Sequence, residues 1–156
     1  APTANAPGAF AGALAQVAAG GSHEVAGAEE ARGKQVAGAV LEYANMLHRE
    51  HAANLEAGRA LAATLGAGTA TSPEADALSE KGRTELAALD AKSGKDYEKA
   101  YVDAMVKGHT EALALLDDRL VPAAEDEATR NFLTNSRDHV AMHLERAKEL
   151  QATAAR

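Results

Sequence analysis

The chain contains no cysteine. Disulfides, thiol catalysis and cysteine-held iron–sulfur clusters are therefore excluded, although that absence alone does not fix the compartment. Aromatic residues make up only 3% of the chain, and runs of β-branched residues are missing, so the sequence has little of what strands are built from. No apolar run approaches the ~20 residues that a spanning helix needs, so membrane insertion is not expected. Basic residues are outweighed: 16 Lys and Arg against 23 Asp and Glu give a net charge of -7. This balance argues against nucleic acid or an anionic membrane surface as a partner. There is no glycine-rich phosphate loop, no G-x-S-x-G elbow and no His-Glu-x-x-His.

What the chain has is helix formers. Alanine, Leu, Glu, Lys and Arg dominate, and 156 residues suffice for one domain with a sizeable core. The expectation is an all-α fold, a ferritin-like four-helix bundle. The opening APTANAPG carries no methionine and reads as a flexible segment, residues 1–7, of the kind left after signal-peptide cleavage. We therefore expect an exported chain, periplasmic or in the cell envelope; a trimmed start is the alternative.

Apolar residues at alternating steps of three and four mark the helices. The first spans about 8–35, with Phe10, Leu14, Val17, Gly21, Ala28 and Ala31 on its seam. The second spans about 38–65, with Leu41, Ala44, Leu47, Leu55, Gly58, Leu61 and Leu65. Ser72-Pro73-Glu74 starts a short connecting helix, about 74–91, as cap, N1 proline and first-turn acid. The third long helix spans about 96–121, with Val102, Met105, His109, Ala112, Leu116 and Leu120. The fourth spans about 124–152, with Phe132, Ser136, His139, His143, Ala147 and Leu150. Short links make each pair antiparallel. The connector between the pairs either returns the chain to the other end of the bundle or forms a decorated short link, and spacing does not choose between them. The Gly20-Gly21 pair is read as allowing close helix packing.

Polar residues interrupt every seam. Glu24 fills the gap in the first helix, His51 with His48 the gap in the second, His109 sits in the third, and His139 and His143 in the fourth. Counted from the turns, they fall at similar height in the bundle. A single buried histidine is more often a core residue bonded to a carbonyl or water. Five imidazoles and a carboxylate at one level are costly to bury without a shared partner. Facing helices of bundles build metal sites in this way, and neutral imidazole is the commonest nitrogen ligand. The candidate ligands are thus Glu24, His48, His51, His109, His139 and His143. Met105, His23 and Asp103 are secondary: Met105 is a soft ligand or ordinary core packing, His23 lies off the seam, and Asp103 pairs equally well with Lys107. The three tyrosines, Tyr43, Tyr97 and Tyr101, are expected at the bundle edges.

The segments HEVAGAEEA, YANMLHREHAANLEAG, DYEKAYVDAMVKGHTEALALL and RDHVAMHLERAKEL resemble the bacterial domain-of-unknown-function 4142 family over about residues 8–150. The resemblance implies a ferritin-like bundle and export, since members are often labelled outer-membrane proteins. The family's glutamate falls on Glu24, its acid–His step on Glu50-His51, its histidine after a Tyr-x-x-Ala-x-Val stretch on His109, and its final His-Leu on His143-Leu144. Two features depart from the pattern. GKQVAGA stands where an Asn-Pro turn is usual, and His48 and His139 are additional.

Diiron chemistry of the usual kind uses about four carboxylates and two Glu-x-x-His pairs. Here no Glu-x-x-His lies on an inner face, and the seam offers one carboxylate and up to five imidazoles. Zinc or copper is favoured over iron, with Met105 a soft donor for Cu(I). The leading expectation is a metal-binding bundle for sequestration, buffering or delivery, with no catalytic residue assigned. The alternatives are a ferritin-like redox metalloenzyme and a metal-free envelope module in which buried histidines sense pH. The expected partners are the metal ion and, as a further candidate, a second copy of the chain.

Overall fold

The computed structural model describes residues 8–68 and 71–154; the opening segment 1–7 lies outside them. The described residues form helices and no strand: α1 (Gly8–Gly33), α2 (Gly38–Thr64), α3 (Pro73–Asp90), α4 (Gly94–Leu115), a π-helical turn (Leu116–Leu120), α5 (Val121–Ala123) and α6 (Glu127–Ala154). None of these helices is long and apolar enough to cross a membrane.

Local chemistry sets the ends. At the end of α1, Gln35 N–H donates to Arg32 O at 3.0 Å and Val36 N–H to Ala31 O at 3.4 Å. This is the paired-bond ending that needs a left-handed residue after the cap. Gln35 supplies it with a φ of 60°, so α1 stops two residues short of the expected 35. The end of α2 uses the same device with glycine in the left-handed place: Gly66 has φ 74°, and Ala67 N–H reaches Ala62 O at 2.8 Å. Ser72 caps α3, its hydroxyl accepting from Ala75 N–H at 3.0 Å, with Pro73 in the first turn. Asp126 caps α6 by accepting from Thr129 N–H at 2.8 Å. The acids Glu125 and Asp126 therefore lie just ahead of α6 rather than within its first turn, and Glu127 alone opens it.

The third long helix is not uniform. Over Leu116–Leu120 it widens into a π turn, with Val121 N–H bonded to Leu116 O. Pro122 follows at once. Its ring removes a donor and crowds the carbonyl four residues back, which an unbroken α-helix does not tolerate. A widened turn is a low-cost way to pass that point.

The contacts settle the connector. Along α3, Gly82 and Glu85 meet His23 and Leu86 meets Gly27, while the Lys34 ammonium donates to Asp90 O. Residue numbers rise together, so α3 runs parallel to α1 and carries the chain back across the bundle. Tyr97 reaches Glu30 while Leu116 and Leu120 pack with Ala13, so α4 is antiparallel to α1 and parallel to α2. Tyr43 meets His143 and Asn54 meets Ser136, so α6 is antiparallel to α2. The four long helices thus have one long crossover, made by α3.

The core has two parts. One gathers Ala28, Ala31, Tyr43, Leu47, Tyr97, Tyr101 and Met105. The other gathers Ala13, Leu116, Leu120, Leu133 and Val140. The tyrosines are not at the edges: Tyr43, Tyr97 and Tyr101 are all buried, and the last two stack at 6.1 Å. Among the buried residues of α6, Thr129, Leu133, Ser136, Val140, His143 and Ala147 form a 4-3-4-3-4 series, with Leu144 beside it. Val140 takes the inner place expected for His139, because both fit the spacing and the apolar one loses nothing on burial.

Gln35 holds a conformation that costs a side-chain-bearing residue about 1 kcal/mol or more relative to glycine. Gln35→Gly is expected to stabilise the fold by about 1 kcal/mol, raising Tm by roughly 2–4 °C in a chain of this size. A fall in Tm on thermal melting would show that the Gln35 side chain contributes more than its backbone loses.

Candidate metal centre

Between the two halves of the core lies a layer of three histidines, one from each of three helices. His51 comes from α2, His109 from α4 and His143 from α6, and their exposures are 8%, 2% and 1%. Ring centroids are 5.0 Å apart for His51–His143, 5.7 Å for His109–His143 and 5.8 Å for His51–His109. One ring nitrogen from each lies within 4.8 Å of one from each of the others.

Hydrogen bonds decide which nitrogens are free. His109 Nδ1 is 2.9 Å from the Met105 carbonyl oxygen. A carbonyl only accepts, so Nδ1 carries a proton, and in the neutral ring the lone pair sits on Nε2. His143 Nε2 is 3.0 Å from Glu50 Oε2, so in the neutral ring Nε2–H donates to the carboxylate and the lone pair sits on Nδ1. Those two nitrogens, His109 Nε2 and His143 Nδ1, are buried with no hydrogen-bond partner among the described residues, and so is His51 Nε2. Orphaned lone pairs of this kind are costly to bury, and a ring fixed through its other nitrogen by a carbonyl or carboxylate is how metal-ligating histidines are usually held. Burial, then the neighbouring His109, His143, His139 and His23 rings, pushes His51 well below its ordinary 6.5. Burial also lowers His143, against the pull of Glu50. Both rings therefore stay neutral, the state a ligand needs.

Glu24 is buried on α1, and its Oε2 likewise lacks a partner among the described residues. It lines the same cavity as the three histidines but is not within their 4.8 Å cluster. Its charge, after burial itself, raises the Tyr43 and Tyr101 hydroxyls. Tyr43 donates to the His143 carbonyl at 2.9 Å, which anchors α6 to α2 beside the site.

The other candidates lie elsewhere. His48, one turn before His51, is half-buried and turned to Glu29 on α1 at 3.2 Å. His139 is exposed at the cavity rim, its ring stacked on His143 at 6.3 Å. A ring one residue short of the inner stripe is rotated about 100° away, which is why it reaches solvent. Met105 contributes its carbonyl rather than its sulfur, since its side chain packs in the core. Asp103 is half-exposed and is held by Lys99 and Gln151 at 3.0 Å each, not by Lys107. His23 lies between α1 and α3, with Nε2 2.9 Å from Glu85. Burial opposes its charging, but the Glu85 bond and the nearby Glu24 charge outweigh that and raise it.

Glu50 is the residue missing from the ligand set expected from sequence. The acid–His step Glu50-His51 pointed to the place, but periodicity puts Glu50 off the inner face, and only the tertiary contact with His143 across the bundle gives it a role.

The cavity that adjoins the histidines has a volume of about 420 Å³. A comparison with curated proteins and one with solved structures each found no match. The family model for the domain of unknown function DUF4142 matches residues 1–150. That span takes in Glu24, the Glu50-His51 step, His109 and His143-Leu144, and the chain belongs to this family.

Proposed function

We propose that this protein binds a transition metal ion through His51, His109 and His143, with Glu24 lining the same cavity outside that cluster, and that it serves to sequester, buffer or deliver that ion. The observation that carries the reading is the set of three buried imidazole nitrogens, one from each of three helices, that face one another without partners. Two of the rings are already fixed through their other nitrogen. With the Met105 sulfur in the core, the donors are nitrogens with at most a carboxylate oxygen, which suits zinc or Cu(II) better than Cu(I). Three protein ligands leave a coordination position open. An open position favours exchange over permanent structural holding. Iron oxidation of ferritin-like type is the second reading. The single long crossover, which ferritin-like bundles also have, supports it, and a cluster with few carboxylates weighs against it. We also propose the cell envelope as the compartment, on the family resemblance.

Elemental analysis and zinc titration of the full chain are expected to give one ion per chain, with chelator-sensitive melting. Metal at ~100 times its Kd adds ~2.7 kcal/mol, a shift of several degrees. His143→Leu should lose most of that shift, while His139→Leu should keep it. A parent that takes up no metal and melts identically with chelator and zinc refutes the reading. It would leave the histidines as a metal-free, pH-sensitive layer.

Glu50→Gln keeps the side chain's size but removes the carboxylate that orients His143. It should weaken zinc binding about 10–100-fold, with little loss of metal-free stability. Unchanged affinity would make the Glu50–His143 contact incidental.

Acid should destabilise the metal-free fold. His51 and His143 are lowered in the folded chain, so between the folded values and 6.5 the unfolded chain binds more protons. The stabilisation is fully present above pH 6.5 and is lost as pH falls below it. His23 is raised and works the other way, one ring against two. Metal-free Tm should therefore fall between about pH 7.5 and 5.5, and zinc affinity should weaken over the same range as protons compete for the ligands. Affinity that stays flat across it would show that imidazoles are not the ligands.

A further inference from the structure

The cavity beside the histidine layer has one polar end and one apolar body. Its lining follows all four long helices in the same direction. Along α4 and the π turn it passes His109, Ala112, Leu115, Leu116 and Leu120; along α6 it passes His143, Val140 and Ser136; along α1 it passes Glu24, Gly20 and Val17. The histidines lie at one end, and the wall beyond them is the second part of the core, with Leu116, Leu120 and Val140. The volume of about 420 Å³ falls within the range of small-molecule sites. The π turn makes part of this wall, and such turns cluster at functional sites.

Two glycines carry the point further. Gly21 and Gly82 have packing reasons: a Cβ on the first would lie 3.2 Å from Leu55, and on the second 2.7 Å from the His23 ring. Gly20 and Gly108 also line the cavity, yet a Cβ on either would meet nothing within 4 Å. Glycine in mid-helix weakens a helix relative to alanine. At these two positions no neighbour explains it, and the Cβ they omit would lie in open space at the cavity wall. The packing role expected for the Gly20-Gly21 pair therefore holds for Gly21 alone.

We propose that the cavity receives a small organic monoanion, a carboxylate on a short aliphatic chain, whose head takes the open position on the metal and whose chain lies against Leu116, Leu120 and Val140. This rests on the metal reading above. Imidazole ligands add no negative charge, so the ion keeps its positive charge to attract an anionic head. Of the acids that line the cavity, Glu50 faces His143, Glu85 faces His23 and Glu111 pairs with Lys81; Glu24 is left with an unpartnered oxygen, and a second negative charge on the ligand would meet it. The apolar wall selects against a head without a body.

The test loads the full chain with Co(II) and follows its visible spectrum during titration with acetate and with hexanoate. Each buried methylene is worth about a fourfold gain in affinity. Hexanoate should therefore perturb the spectrum at concentrations at least tenfold lower than acetate. Gly20→Ala with Gly108→Ala should melt a few degrees higher than the parent without carboxylate, and should weaken hexanoate binding more than acetate binding. Equal affinity for the two acids, or a double variant that binds hexanoate as the parent does, overturns the pocket while the cobalt spectrum still supports the metal site. A chain that gives no bound-cobalt spectrum overturns both.

Discussion

Three imidazoles packed against one another inside a helical bundle are the constraint on which the rest of this structure depends. Each ring gives up hydration, and each can satisfy at most one nitrogen from the protein around it. Met105 O and Glu50 satisfy the outer nitrogens of His109 and His143 and so direct the lone pairs inward. The core is divided in two to accommodate this layer. Tyrosines and Met105 pack on one side and Leu116, Leu120 and Val140 on the other. In the tyrosine half, Tyr97 and Tyr101 stack and Tyr43 is tied to the backbone of His143. The other half leaves the cavity.

The helices arrange themselves around the same layer. α3 returns the chain alongside α1, and that return places α4 parallel to α2 and sets His109 against His51 and His143. Its seat on α1 is made by Gly82, where the His23 ring occupies the space a side chain would take. Helix α1 is consequently buried on more than one side: Ala13, Ala28 and Ala31 are buried along with Ala11 and Ala15. Small residues are what allow α2 and α3 to approach it together.

Periodicity made much of this legible. Polar residues that interrupt otherwise apolar seams identified Glu24, His51, His109 and His143 without reference to any contact, because burying such a residue needs a reason. The same reasoning overreached at His48 and His139. On α6, a stripe through His139 and one through Val140 both satisfy steps of three and four, and only packing tells them apart. His48 shares a helix with His51 but is turned far enough to find Glu29 on the surface. Glu50 could not be placed from helix geometry, since its role depends on a residue distant in sequence. The connector direction was equally hidden, because a site at half height lines up whichever way the third long helix runs. The π turn at Leu116–Leu120 was signalled only by Pro122, whose usual effect is to end a helix.

The three imidazoles come from positions 51, 109 and 143, on helices that meet only after the crossover has formed. No hairpin of this chain carries the cluster. The α1–α2 pair has only His51, and the α4–α6 pair has His109 and His143 without it. An ion bound as proposed would therefore find its full set of ligands only late in folding, unlike one whose ligands all come from neighbouring residues. On the proposed reading, full capture would follow docking of the two halves, so the metal's contribution would fall on the rate of unfolding rather than on the rate of folding. Half-made chains would hold no complete cluster, and loading such a site would record that the whole bundle has closed.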